Sequence, residues 1–207
     1  MMLKLYSPNR AERILRSLDS DIEGICRMVH LPSAVLKAVL YKEITDIDFF
    51  DPLADAIVAF NWQRVHLLNH LPDLEGKQNK SGFFRKFDSS TGYGQIFART
   101  AILAIRFATT HGIINTETLG LRMGQTFSPD SPADVFEIWK KLHRERSFNL
   151  ACSSLNLLFA AWDMNGRITF ENFSPDELKR TFTRYNANVR QITPYGEVTY
   201  QYYLKYK

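Results

Sequence analysis

The stretch SAVLKAVLYKE, Ser33 to Glu43, decides how this chain is read. Leu36, Val39, Leu40 and Glu43 fall at i, i+3, i+4 and i+7, so one face of a helix is apolar along its length and ends in a carboxylate. Leu31, Pro32 and Ser33 mark where that helix begins. An apolar face seeks burial, and burial disfavours the charged form of a carboxyl group. Glu43 is thereby expected to have a raised pKa, the condition under which a carboxylic acid serves as a proton donor near neutral pH. The competing reading is a structural Glu whose head reaches solvent or an Arg.

Helical patterns continue on both sides. DPLADAIVAFNWQRVHLL, Asp51 to Leu68, predicts a second helix, and the polar, basic stretch DLEGKQNKSGFFRKFDSS before Thr91 predicts the longest loop. A helix from about Gln95 to His111 stops at Gly112. Ser131, Pro132 and Asp134 open another, whose apolar face is Val135, Ile138, Trp139 and Leu142. Phe148 to Met164 reads as a strongly apolar helix ended by Asn165 and Gly166. Ser174, Pro175 and Glu177 cap a helix through Tyr185, and a Tyr-rich amphipathic segment runs from about Gly196 to Tyr206. Only RITF, Arg167 to Phe170, has strand character. The expectation is an all-α, compact single domain over residues 1–207, with 1–30 as a helical N-terminal extension.

Composition agrees with one sizeable core: 207 residues at 45% hydrophobic content are short for two ordinary domains. A formal charge of +4 and a sequence pI near 9.0 suit an anionic partner such as bacterial cell wall, nucleic acid or acidic lipid, without choosing among them. Cys26 and Cys152 lack CxxC spacing and read as buried small hydrophobes. The amino terminus carries Lys4, Arg10, Glu12 and Arg13 without a continuous apolar run, so neither a secretory signal nor a membrane span is expected.

Other constellations are weaker. His66 and His70 have the i, i+4 spacing of zinc ligands but lack the Glu of a metalloprotease helix and any third ligand, so no metal or other cofactor is predicted. Cys26 and His30 share a helical face without an oxyanion loop nearby. Lys77, Lys80, Arg85 and Lys86 beside Phe83, Phe84 and Phe87 have the chemistry of a nucleic-acid contact, although a solvated flap is the commoner use of such a loop. Gly92 and Gly94 free the backbone to approach a ligand, with Tyr93 and Gln95 offering stacking or hydrogen-bonding edges; a glycine-rich helix start explains the same two glycines.

Taken in order, these pieces resemble the lysozyme-like superfamily, in its goose-type lysozyme and soluble lytic transglycosylase branch. AVLYKE, Ala38 to Glu43, resembles the helix that ends in that family's catalytic Glu. Gly92, Tyr93, Gly94 and Gln95 follow its Gly-x-x-Gln turn, with Thr100 and Ala101 matching the TA that closes it. RSFNLACSSLNLL, Arg146 to Leu158, is similar to its N-x-x-x-G-x-x-x-L helix, Asn149 in the Asn position and Ser153 replacing the Gly. RYNANVRQITPYGEVTYQYY, Arg184 to Tyr203, is similar to its YNAG motif and following Tyr-containing helix, with Asn188 replacing Gly. Ile44 stands where Ser commonly follows the Glu, and about 50 residues separate Glu43 from the turn, more than in transglycosylases.

The resemblance implies a lysozyme-like helical fold and cleavage of peptidoglycan glycan strands at the MurNAc–GlcNAc β-1,4 bond, Glu43 acting as general acid and then base. It implies that Asp88, just before the turn, positions water as in goose-type enzymes; Asp46, Asp48, Asp51 and Asp55 are rivals, Asp51 also being placed to cap the next helix. Substrate-binding roles fall to Gly92, Tyr93, Gly94, Gln95, Tyr185 and Asn186, with Tyr185 either orienting Glu43 or serving as core. Hydrolysis is preferred over transglycosylation because of Asp88. Action at the cell wall without a leader implies delivery by another system, and a delivery machine or an inhibitor protein is a possible partner. The rival classes are a non-catalytic glycan-binding module of the same fold and a basic helical nucleic-acid-binding protein.

Overall fold

The computed structural model describes residues 4–68 and 87–207, the side chains of 65–68 excepted. Among the described residues it contains nine α-helices and no strand or sheet. They are α1 (Pro8–Ser17), α2 (Asp19–Met28), α3 (Ser33–Asp46), α4 (Phe50–Leu68), α5 (Ala98–Thr110), α6 (Pro132–Arg144), α7 (Arg146–Asn165), α8 (Pro175–Asn186) and α9 (Pro194–Tyr206). A 3₁₀ turn, Thr116–Leu119, lies between α5 and α6. No described helix is long and apolar enough to cross a membrane.

Local chemistry explains most boundaries. Ser131 accepts the Asp134 amide with Pro132 in the first turn of α6, and Ser174 and Glu177 form a reciprocal capping box at the head of α8. Gly166 ends α7 in the left-handed conformation at φ 69°, where a side chain would be strained. α9 begins at Pro194, two residues before the sequence expectation, because Pro is suited to the first helical turn. RITF is no strand: without a neighbouring strand to pair with, residues 167–170 form an irregular link between α7 and α8.

α7 is the central post. It is buried on nearly every side from Phe148 to Ala161 and is packed by α2, α3, α5, α6 and α8. α3 is similarly enclosed, with Leu36, Leu40 and Ile44 fully buried; each such side chain contributes about 1.5–3 kcal/mol through its removal from water. α9 packs against both α3 and α8. Residues of α1 and α2, including Ala11, Leu15, Ile22 and Cys26, join the same core as α3 and α7. The N-terminal residues expected as an extension are thus built into the core. Cys26 and Cys152 are both free and buried, and desolvation pushes the Cys26 thiol up to about 12.

Candidate functional site

Glu43 lies in the last turn of α3 and is only 9% exposed. Burial raises its pKa from 4.5 to about 7, against the opposing effects of a hydrogen bond from Tyr195 and the Lys42 charge. Asp46 and Asp51 add to the rise. The Tyr195 hydroxyl, in the first turn of α9, donates to Glu43 Oε1. Burial and the Glu43 charge keep the Tyr195 phenol well above its ordinary pKa, so it remains a neutral donor.

Gln95 and Ser90, which line the same cavity as Glu43, belong to a tight turn closed by an antiparallel bridge between Thr91 and Ile96. Gly92 adopts φ 71°, and a Cβ there would fall 2.2 Å from Asn149 Nδ2. A Cβ on Gly94 would fall 1.9 Å from Ser153 Oγ and 3.1 Å from the Tyr185 hydroxyl, so only glycine lets the turn sit this close to α7 and α8. The contact is what fixes the turn. Asn149 Oδ1 accepts the Gly94 amide at 2.9 Å while its Nδ2 donates to Thr91 O at 2.9 Å and Leu142 O at 3.3 Å. The Tyr185 hydroxyl donates to Gly94 O at 2.7 Å. Both polar groups of the Gly94 backbone are therefore held by core side chains. Gln95 takes φ 43°, uncommon for a residue with a side chain, and is secured by Nε2 donating to Gly92 O at 2.8 Å and by Ser90 donating to its Oε1 at 3.2 Å.

A second tether runs from the turn to α4 and α6. Asp55 accepts from Ser89 Oγ at 2.6 Å and Thr91 Oγ1 at 2.8 Å, and its Oδ2 lies 3.2 Å from His143 Nδ1. Trp139 Nε1 donates to Ser89 Oγ at 3.0 Å, and its ring stacks on that of His143 with centroids 5.1 Å apart.

Between these parts lie two neighbouring cavities. The smaller, about 300 Å³, is lined by Glu43, Tyr195, Tyr185, Asn186, Asn156 and Gln95, and by Asp46, Asp48 and Asp51. The Oδ1 atom of Asn156, a residue 1% exposed, has no hydrogen-bond partner among the described residues. The larger cavity, about 540 Å³, takes in Gly92 and Tyr93 and shares Ile47, Asp51 and Gln95 with the smaller. Glu43, Gln95, Tyr185 and Asn186, singled out in the sequence, thus meet at one cavity; Gly92 and Tyr93 line the other, and Gly94 is packed beneath the turn on Ser153 and Tyr185.

Asp88 takes a different place from the one expected. Its two oxygens accept the Ala98 and Arg99 amides at 3.0 and 3.2 Å, capping α5, and it lines neither cavity. Burial still lifts its pKa to about 6, the two amides opposing the rise. The carboxylates that share the cavity with Glu43 are Asp46, bridged to Lys4 and Lys42, and Asp48 and Asp51 at the head of α4. Of the two roles expected for Tyr185, the structure has it in the core, where its hydroxyl holds the turn, while Tyr195 is the phenol bonded to Glu43. Tyr195 lies within the Arg184 to Tyr203 stretch but is not singled out by sequence, since that stretch holds several tyrosines.

Among the described residues no three His, Cys, Asp or Glu side chains converge as metal ligands. The side chains of His66 and His70, and Lys77, Lys80, Phe83, Phe84, Arg85 and Lys86, lie outside the described residues. No protein-family model matches this chain, and no curated protein or solved structure matches it.

Proposed function

We propose that this protein is a lysozyme-like enzyme that cleaves peptidoglycan glycan strands at the MurNAc–GlcNAc β-1,4 bond, with Glu43 as the proton donor. The observation that carries the reading is a buried carboxyl group with its pKa raised to about 7, bonded by a phenol and lining a polar cavity that Gln95 also lines. An alkoxide leaves a sugar carbon too slowly, so the C1–O4 bond breaks when the donor protonates O4 as positive charge develops at C1. Glu43 then holds the negative charge beside that carbon and takes the proton of the attacking nucleophile, either water or the sugar's own 6-hydroxyl. The polar lining from Asn156, Asn186 and Asp48 suits a ligand rich in hydroxyl and amide groups. The charge of +4 favours adhesion to an anionic wall.

Asp88 caps α5 and so does not favour hydrolysis, and Asp46, Asp48 and Asp51 are the carboxylates that line the cavity with Glu43. Muropeptide mass spectrometry separates the outcomes: reducing ends mean water attacked, anhydro ends mean the 6-hydroxyl did. The reading itself is tested by clearing of cell-wall gels. Wild type is expected to clear and Glu43→Gln to lose at least about 100-fold in rate, the scale of general acid catalysis; equal clearing by both removes the proposal.

A further inference from the structure

We infer that Asp55 is a positioning residue for the Glu43 cavity: from α4 it fixes the wall that Ser90 and Gln95 form there. The inference rests on the cleavage reading above and adds to it a residue that itself lines only the larger, adjoining cavity. Gln95 is the starting point. It holds φ 43° although it has a side chain, and such a backbone persists only where the surroundings over-determine it. Its side-chain bonds, to Gly92 O and from Ser90 Oγ, lie within the turn. They shape the turn without seating it. Asn149 and Tyr185 seat one side, at Thr91 O and Gly94. Asp55 seats the other.

Oδ1 of Asp55 accepts the Ser89 hydroxyl at 2.6 Å and Oδ2 the Thr91 hydroxyl at 2.8 Å, so one carboxylate grips the residues on each side of Ser90. Ser90 then donates to Gln95 Oε1 at 3.2 Å. The grip depends on a carboxylate. Thr91 gives its hydrogen to Asp55, so the proton between Thr91 Oγ1 and His143 Nδ1, 3.0 Å apart, belongs to the imidazole. His143 Nδ1 is also 3.2 Å from Asp55 Oδ2. Hydrogens from Ser89, Thr91 and His143 thus converge on a group that, when ionised, only accepts. An amide in its place would set an N–H against one of them. The Asp55 side chain is 15% exposed, and Trp139 packs on the cluster by donating to Ser89 Oγ at 3.0 Å and stacking on His143, which leaves little room for water to substitute.

The test uses the full chain with Asp55→Asn, which keeps the size and removes the charge, and it has two arms. The first is a double-mutant cycle in kcat/KM on a soluble wall substrate. Asp55→Asn is expected to cost about tenfold in the wild-type background, the scale of a charge-assisted hydrogen bond. In a Gln95→Gly background, where the left-handed backbone is kept without strain and the side-chain wall is gone, the further cost should be under about twofold. Equal losses in both backgrounds would make Asp55 a general support and overturn the inference. The second arm needs no turnover: NMR of the Gln95 side-chain amide, which Gly92 O holds. Asp55→Asn and Thr91→Val should move its signals toward those of free glutamine amides, while Thr91→Ser, which keeps the hydroxyl, should not. The Asn165 amide, bonded to Thr181, serves as the reference. A Gln95 signal that stays in place in Asp55→Asn, or that shifts together with Asn165, also overturns the inference. Loss of Glu43-dependent clearing removes the cleavage reading alone, and the second arm still decides whether Asp55 seats the wall.

Discussion

Glu43 carries two opposed demands, and their balance is measurable. The Tyr195 hydroxyl bonds to the ionised carboxylate and so holds its pKa below what burial alone would impose. Tyr195→Phe is therefore expected to move the alkaline limb of kcat/KM to higher pH, read on a soluble wall substrate from about pH 5 to about pH 9. An unmoved limb would mean that another group governs the profile. Stability follows the same titration. The folded-state pKa, about 7, lies above the ordinary 4.5, so the folded chain holds this proton more tightly than the unfolded one. Its contribution is complete below the ordinary value and is lost as pH rises through the folded one. Glu43→Gln should accordingly be more stable than wild type at about pH 8, by at most about 3 kcal/mol, and no different at about pH 4. Thermal melts at the two pH values check this, and identical melts at the higher one contradict it.

Helix ends and the glycine turn are where the chain was most and least legible. Ser131 with Asp134, and Ser174 with Glu177, announce α6 and α8 because a cap acts within three or four residues. The start of α5 gave no such sign. Its cap is Asp88, ten residues before Ala98, brought there by the fold-back of the turn. Asp88→Ala should lower stability by about 1 kcal/mol, the usual cost of losing a cap, with kcat/KM at 25 °C little changed. A fall of about 100-fold in rate with unaltered melting would instead return Asp88 to the catalytic group. The turn's glycines were visible as a pattern, yet their reason, contact with Asn149, Ser153 and Tyr185, lies on other helices.

The packing of α9 on α3 and α8 determines where Tyr195 stands. Gly196 is buried at the α8–α9 contact, where a Cβ would come within 2.3 Å of Thr183 Oγ1 and 2.4 Å of Lys179 O. The backbone atom cannot rotate away. Gly196→Ala should force α9 outward at a cost of about 2 kcal/mol, a Tm loss of about 6 °C for a chain of this size. It should also shift the alkaline limb as Tyr195→Phe does, because the phenol leaves with its helix; a melt and a pH profile like wild type would show that this contact does not seat Tyr195. The all-α class and most helices could be read from the chain because periodicity, caps and breakers act over a few residues, and Glu43 stood out as a carboxylate on an apolar stripe. Only the tertiary structure decided its partners. Tyr195 is 152 residues from Glu43, and Asn149 is 55 from Gly94. Pairs so far apart leave no spacing to read: they form only after packing has brought their helices together, and burial then sets which hydrogen bonds must be made.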